Sequence, residues 1–192
     1  MNDRKYLLLG TCWLFLTWLF AYRGMLIAML PAIASTLSLT NTMAGSLVGI
    51  LWTSDALGAY PASIATAYIG RKKLLAMSLV LSSAFMLLFI SLQFFPAMLV
   101  SLFFAGLGFG SYYPIGISIL SERFKGSRLG TFIGFHETGV PFGMTVGPII
   151  ASLLILVQID WRSSLLLGLL AVPIILLLLS VTIKKDHPLD NS

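Results

Sequence analysis

The chain has 192 residues, of which 58 % are hydrophobic and only 10 % are charged, and its formal net charge is +5. Soluble globular domains carry about 25 % charged residues, so this composition excludes a water-soluble domain and predicts an integral membrane protein. The positive charge does not indicate nucleic-acid binding, because the basic residues form short clusters at the ends of apolar runs, as in membrane anchoring.

Six apolar segments follow one another, each long enough for an α-helix of about 20 residues across a hydrocarbon core of about 30 Å. Strands are not expected, because the segments show no alternation of polar and apolar residues. The prediction is one all-α domain over residues 1–192. Its transmembrane helices are expected at about 6–30, 42–69, 74–95, 97–120, 129–157 and 165–183.

The loops predict the orientation of the chain in the membrane. Apart from Arg23 and Arg162, every lysine and arginine falls on one side of the six-span topology. Cytoplasmic loops carry this excess, so both termini are expected in the cytoplasm and the protein in the cell membrane. The uncharged segment from Pro31 to Thr40 is expected to be an exterior loop, and the short basic turn after Gly70 makes the second and third helices antiparallel neighbours.

Two ionisable residues lie inside the first two spans. Arg23 is about 16 residues into the first span, and Asp55 is near the centre of the second. Charges at this depth are costly and usually face a cavity or a partner. Arg23 is a candidate anion-binding group, with snorkelling or a structural ion pair as alternatives. Asp55 is a candidate proton or cation site, or the partner of Arg23.

Four more polar side chains lie within the fourth and fifth spans. His136 and Glu137 are adjacent, about 8 residues into the fifth span, and on a helix they point about 100° apart. Glu137 is the better candidate for a proton carrier, with helix packing as the alternative. The hydroxyls of Tyr112 and Tyr113 are expected to line a polar path in the fourth span.

Small residues recur at spacings that let helices approach closely. The fifth span carries Gly134, Gly143, Gly147 and Pro148, and these are expected to pack and bend the helix. Gly45 and Gly49 in the second span, and the glycine run from Gly106 to Gly110 in the fourth, are interpreted in the same way.

Several of these motifs together resemble the major facilitator superfamily of transporters. The family has a basic motif between its second and third helices, ending in Gly-Arg-Lys, which Gly70, Arg71 and Lys72 match. Ser63 and Ala67 replace the leading glycine and the aspartate of that motif.

The later spans extend the resemblance. In the fourth span Gly106 and Gly108 match a family pattern, while Leu102 stands in place of its arginine. The fifth span resembles the antiporter signature, since Gly134, Gly143, Gly147 and Pro148 fit its spacing, while Ala151 and Ser152 replace its final glycine pair. Arg23, ahead of Pro31, resembles the arginine that organic-anion members use to bind substrate.

The resemblance implies the N-terminal six-helix half of such a transporter, with Gly70 to Lys72 as a gating loop. The expected function is secondary active transport of a small solute by proton-linked alternating access, with an organic anion as the candidate solute. A half needs a second six-helix unit, from a homodimer or a separate C-terminal half. The alternatives are half of a drug or cation proton antiporter and a non-transporting membrane subunit. No enzyme activity, metal or cofactor is expected.

Overall fold

The protein is described here by a computed structural model covering residues 3–126 and 128–183. Positions 1–2, 127 and 184–192 of the expected domain, including Lys184 and Lys185, lie outside the described residues. Within them the chain is helical and contains no strand. We number the six long helices α1 to α6 in chain order. Their bounds are α1 Asp3–Leu37, α2 Asn41–Ile69, α3 Arg71–Ser91, α4 Phe95–Gly110 with Tyr112–Arg123, α5 Leu129–Glu137 with Gly139–Leu156, and α6 Trp161–Leu169 with Ala171–Thr182.

The expected all-helical, six-helix class is confirmed, and several helix bounds differ from the expected ones, including the end of α1 and the start of α3. α1 continues through Pro31 to Leu37, so most of the expected exterior loop is helical. The extension follows from burial, since Ile33 is fully buried in the core. α3 begins at Arg71 rather than Leu74, because Gly70 alone, at φ 82°, makes the turn from α2. Glycine adopts this left-handed φ without steric cost.

Three helices are interrupted at single residues, Ser111, Thr138 and Leu170, all of which keep right-handed helical φ and ψ. A proline follows each interruption three residues later. Proline has no N–H to donate to the carbonyl four residues earlier, which in each case belongs to the last residue before the break. The prolines therefore account for the breaks.

Five of the described helices are long and apolar enough to cross a membrane: α1 and α3 to α6. α2 has 29 residues but is less apolar, because Asp55 and several serines and threonines interrupt it. α2 is thus not among these five helices, and it carries Asp55 near its centre.

Close backbone contacts join α1 to α5 and α2 to α4. A Cβ at Gly147 would lie 2.8 Å from the carbonyl carbon of Ala21 on α1, and one at Gly58 would lie 2.8 Å from the carbonyl carbon of Leu107 on α4. Real Cβ atoms do not approach so closely, so glycine is required at these crossings. Gly143, Gly106 and Gly110 have similarly close neighbours.

The expected packing role does not hold for every glycine. At Gly134, Gly45 and Gly49, no described atom beyond the adjacent residues and the nearby backbone of the same helix lies within 4 Å of the position that a Cβ would occupy. Their spacing resembles a packing motif, but their side of the helix faces away from its neighbours. Pro148 does take part, since its ring carbons lie 2.8 and 3.4 Å from the position of a Cβ at Gly24.

Candidate functional site

The first polar cluster joins α1 to α2. The Arg23 guanidinium forms a salt bridge with the Asp55 carboxylate. Arg23 is almost fully buried, with 3 % of its side chain exposed, whereas Asp55 is 21 % exposed. The pair therefore lies within the helix bundle and reaches the surface on the Asp55 side.

Aromatic rings surround the guanidinium. Its central carbon lies 5.0 Å from the ring centre of Phe20, 4.9 Å from Trp52 and 5.6 Å from Phe109. These distances are within cation–π range, in which ring quadrupoles stabilise a positive charge. Among the described residues, the buried Nε of Arg23 has no hydrogen-bond partner. One guanidinium donor thus remains unsatisfied inside the bundle.

The second polar cluster joins α4 to α5 and to the backbone of α1. The Tyr112 hydroxyl donates to the carbonyl oxygen of Cys12 and lies 2.9 Å from His136 Nε2. His136 Nδ1 lies 3.0 Å from Glu137 Oε1, and the Tyr113 hydroxyl donates to Glu137 Oε2 at 2.8 Å. The four side chains thus form one continuous hydrogen-bonded chain.

Burial changes steeply along this chain. Tyr112 and His136 are 1 % and 0 % exposed, whereas Glu137 is 33 % and Tyr113 46 % exposed. Adjacent positions on a helix point about 100° apart, so α5 directs His136 into the bundle and Glu137 toward its surface. α4 does the same with Tyr112 and Tyr113.

The two helix breaks position this cluster. Ser111 precedes the two tyrosines, and Thr138 follows Glu137. The Thr138 hydroxyl accepts a hydrogen bond of 2.9 Å from the Trp13 indole, which fixes the break in α5 against α1. The aromatic ring of Phe15 lies 4.3 Å from that of Tyr112 and fills the space beside the cluster.

The expected gating loop contacts other helices of the same bundle. Gly70 makes the turn, Arg71 forms a salt bridge with Glu122 near the end of α4, and Lys72 donates to the Ser180 carbonyl of α6 at 2.6 Å. Arg162, at the opposite end of the bundle, donates to the Ile90 carbonyl at 2.9 Å. Through Arg71 and Lys72, the basic turn between α2 and α3 thus contacts both α4 and α6.

The structure therefore brings the predicted residues into two groups, Arg23 with Asp55 and the four polar side chains of α4 and α5. The sequence alone did not identify Phe20, Trp52 or Phe109 as ring partners of Arg23. Phe20 lies three residues before Arg23, a spacing that places side chains on one helix face. No comparable signal identifies Phe109 or the Cys12 carbonyl, since both reach their partners from other helices.

The sequence model of the Major Facilitator Superfamily matches residues 12–191. The chain belongs to the Major Facilitator Superfamily. This superfamily match covers all six helices except the first residues of α1.

One curated relative is a "Probable 4-methylmuconolactone transporter" of Cupriavidus pinatubonensis, 26 % identical over 167 residues. The alignment covers 85 % of this chain and 38 % of that protein. The chain therefore spans well under half the length of this relative.

Two solved superfamily structures share the fold. The xylose transporter XylE of E. coli, in an inward-open conformation, has a TM-score of 0.77 at 16 % identity, covering 95 % of this chain and 48 % of XylE. The fucose:proton symporter FucP of E. coli has a TM-score of 0.63 at 18 % identity, covering 95 % of this chain and 49 % of FucP. The chain thus corresponds to about half of a solved transporter.

Proposed function

We propose that this superfamily chain is one six-helix half of a proton-linked secondary transporter for small organic anions. Residues 1–192 form a single unit in the cell membrane with both termini in the cytoplasm. The unit works with a second six-helix unit, either another copy or a separate C-terminal half. The solute binds between the two units, where alternating access exposes it to each side in turn.

The buried guanidinium of Arg23 carries this proposal. It lies within the bundle, stacked among three aromatic rings, with one donor unsatisfied among the described residues. Leaving a buried donor unpaired costs about 1–3 kcal/mol, which an anionic solute can recover by accepting its hydrogen bond. Arginine also matches the planar geometry of a carboxylate better than lysine does.

Asp55 acts as the counter-ion that an anionic solute displaces. Its carboxylate holds Arg23 when no solute is bound, and it is partly exposed. A solute carboxylate that takes over the guanidinium releases Asp55. The exchange keeps the buried positive charge compensated in both states, which a low-dielectric interior requires.

The named relative supports the choice of solute class. Its printed name concerns 4-methylmuconolactone, so this compound is the first solute to test. The sugar transporters share the fold at identities too low to transfer a substrate, and xylose therefore serves as the comparison solute.

The test is uptake by proteoliposomes that contain the purified full chain, with an imposed pH gradient. We expect uptake of 4-methylmuconolactone to exceed that of xylose and to depend on the gradient. Arg23→Gln should reduce it more than about tenfold, because the anion loses its charged hydrogen-bond donor. Arg162→Gln is the matched control, since Arg162 contacts carbonyl groups at the end of the bundle, and it should retain uptake.

Two other outcomes favour the competing functions. If the wild-type chain takes up no anion but supports proton-driven export of a lipophilic cation, and Arg23→Gln leaves that export intact, the chain is half of a cation antiporter. If no oligomeric form of the wild-type chain supports flux of any solute, the transport proposal fails. Arg23→Lys, which keeps the charge but loses the planar fork, provides a second variant should Arg23→Gln not fold.

A further inference from the structure

The groups hydrogen-bonded around His136 can donate only a fixed number of protons. A tyrosine hydroxyl has one proton to donate, a carbonyl oxygen has none, and each imidazole nitrogen either donates or accepts. The protonation of His136 can therefore be deduced from its neighbours, since the tautomer of a histidine is set by the network in which it lies.

The deduction begins at the α1 backbone. The carbonyl oxygen of Cys12 accepts from the Tyr112 hydroxyl, which uses the one proton of that group. The 2.9 Å contact between the same hydroxyl oxygen and His136 Nε2 then needs a proton from the ring. His136 therefore carries a proton on Nε2.

A neutral imidazole protonated on Nε2 has only a lone pair on Nδ1. That nitrogen lies 3.0 Å from Glu137 Oε1, and an ionised carboxylate also offers only lone pairs. Two acceptors at this distance repel each other unless one proton lies between them. The contact holds either an imidazolium beside a carboxylate or a neutral imidazole beside a carboxylic acid.

We infer that His136 and Glu137 together form a binding site for one exchangeable proton, held between Nδ1 and Oε1. The inference rests on the proposed function in one respect only, that this proton is the one linked to solute movement. The occupied pair is electrically neutral, and the empty pair carries one negative charge. Occupancy by a proton thus changes both the charge and the geometry of the site.

Its neighbours suit such a site. Within the described part of the chain, the titratable side chains hydrogen-bonded to the pair are Tyr112 and Tyr113 from α4, and Cys12 of α1 lies beside Tyr112. None of these three side chains brings a positive charge. Among the described residues, no lysine or arginine forms a salt bridge with Glu137. A neutral pair is therefore the form that low-dielectric surroundings favour.

Proton loss has a mechanical consequence. Without the shared proton the Nδ1–Oε1 contact becomes repulsive, and Glu137 can keep only the hydrogen bond from Tyr113. Tyr113 and Glu137 are both partly exposed, so the carboxylate can rotate toward the surface. Release of the proton thus separates Glu137 and Tyr113 from His136, while the hydrogen bonds from His136 to Tyr112 and from Tyr112 to the Cys12 carbonyl are kept.

The test is solid-state NMR of the full chain labelled with [15N]histidine in lipid bilayers, from about pH 5 to about pH 9. A His187→Asn background leaves His136 as the single histidine. We expect Nε2 to be protonated at every pH, and the Nδ1 resonance to change with pH together with the infrared band of a carboxyl group. Glu137→Gln should abolish the pH response of Nδ1, since its amide can satisfy Nδ1 without an added proton.

Asp160→Asn is the matched control, because it neutralises a carboxylate at the end of the bundle and should leave the Nδ1 response unchanged. Glu137→Asp, which withdraws the carboxylate by one methylene, replaces Glu137→Gln if that variant does not fold, and it should also lose the response. An Nδ1-protonated ring with bare Nε2 would overturn the inference, as would a wild-type Nδ1 resonance that does not change with pH. Neither result bears on solute flux, so this inference and the transport proposal fail independently.

Discussion

Arg23 and Asp55 show why an ion pair inside a membrane protein is not simply a source of stability. Removing two charges from water costs several kcal/mol per ion, and their attraction offsets this only with good geometry and further contacts. Here three aromatic rings supply such contacts to the guanidinium, while its Nε has no partner among the described residues. A pair kept only for stability would satisfy that donor, so the arrangement favours a binding role.

Single and double substitutions at this pair test the argument. Arg23→Gln and Asp55→Asn should each lower the free energy of unfolding by about 3 kcal/mol, because each leaves an unpaired charge. The double variant should recover most of this loss. Thermal unfolding in detergent with a double-mutant cycle measures the coupling, and additive losses would show that the two side chains do not form a pair.

Asp160 has a different role outside the membrane-spanning segments. It lies at the N-cap of α6 and accepts hydrogen bonds from the Ser163 hydroxyl and from the backbone N–H groups of Ser163 and Arg162. These bonds, the Ser163 hydroxyl first, hold the pKa of Asp160 below its usual 3.8. They stabilise the ionised form and thereby the start of the helix.

Asp160→Ala should lower the free energy of unfolding by about 1 kcal/mol at neutral pH, the usual contribution of an N-cap. Because the folded-state pKa is lowered, the part of this contribution that depends on ionisation is present above about pH 4 and is lost as the pH falls through the folded-state pKa. The stability of the variant and the wild type should therefore converge in acid. Asp160→Asn keeps an acceptor oxygen and should change little at pH 7, and an equal loss in both variants would contradict the N-cap role.

At the scale of the helices, glycines and prolines have separate effects. Glycines at the crossings let the backbones of α1 and α5 approach, and likewise those of α2 and α4. Pro114, Pro141 and Pro173 each leave unpaired the carbonyl four residues earlier, which belongs to the last residue before a helix break. Two of the three breaks lie directly beside the tyrosines of α4 and beside Glu137. Helix breaks are tolerated at membrane depth where neighbouring helices support them, and at the break in α5 the Trp13 indole of α1 donates a hydrogen bond to the Thr138 side chain.

Matched glycine substitutions separate required glycines from incidental ones. Gly147→Ala places a methyl group 2.8 Å from the Ala21 carbonyl carbon and should destabilise the protein by about 1–3 kcal/mol through overpacking. Gly49→Ala has open space around the new methyl group and should be neutral or stabilising by up to about 1 kcal/mol. Thermal melts of both variants measure the difference, and similar melting temperatures would contradict the close contact between α1 and α5.

At the scale of the whole molecule, the chain matches about half of the solved transporters in length. Large apolar side chains on α2 are strongly exposed, with Tyr60 and Tyr68 both at 75 %. Lipid and a second six-helix unit can both cover such a surface. The proposed central site lies between two units, so the mass of the particle distinguishes these possibilities.

Mass photometry or native mass spectrometry of the detergent-solubilised chain provides this test. We expect a particle with the protein mass of two six-helix units, twice 20.9 kDa if the second unit is another copy. A parallel arrangement about the membrane normal would reproduce the pseudo-symmetry of the superfamily. A stable monomer that nevertheless transports solute would contradict the two-unit proposal, whereas a monomer without flux directs the search to a separate C-terminal half.

The sequence by itself determined the membrane class, the six helices and the identity of the polar residues inside them. Apolar runs of this length have few alternatives, because a backbone in lipid must satisfy its own hydrogen bonds. It also indicated that His136 and Glu137 could not both face the same cavity, and the structure places one inside and one at the surface. These properties depend on the order of residues within a single segment of the chain, so they can be deduced without knowing how the segments pack together.

Only the tertiary structure decided which residues meet. Phe109 reaches Arg23 from another helix, and the Cys12 carbonyl likewise reaches Tyr112. On α2 the close helix crossing lies at Gly58, whereas the spacing of Gly45 and Gly49 had predicted it at those two residues. The reason is physical, since a small or aromatic residue has the same local signature whether it faces lipid or another helix. The protonation of His136 likewise depends on contacts among α1, α4 and α5. Each hydrogen bond in this chain uses a proton that is then not available to the next one.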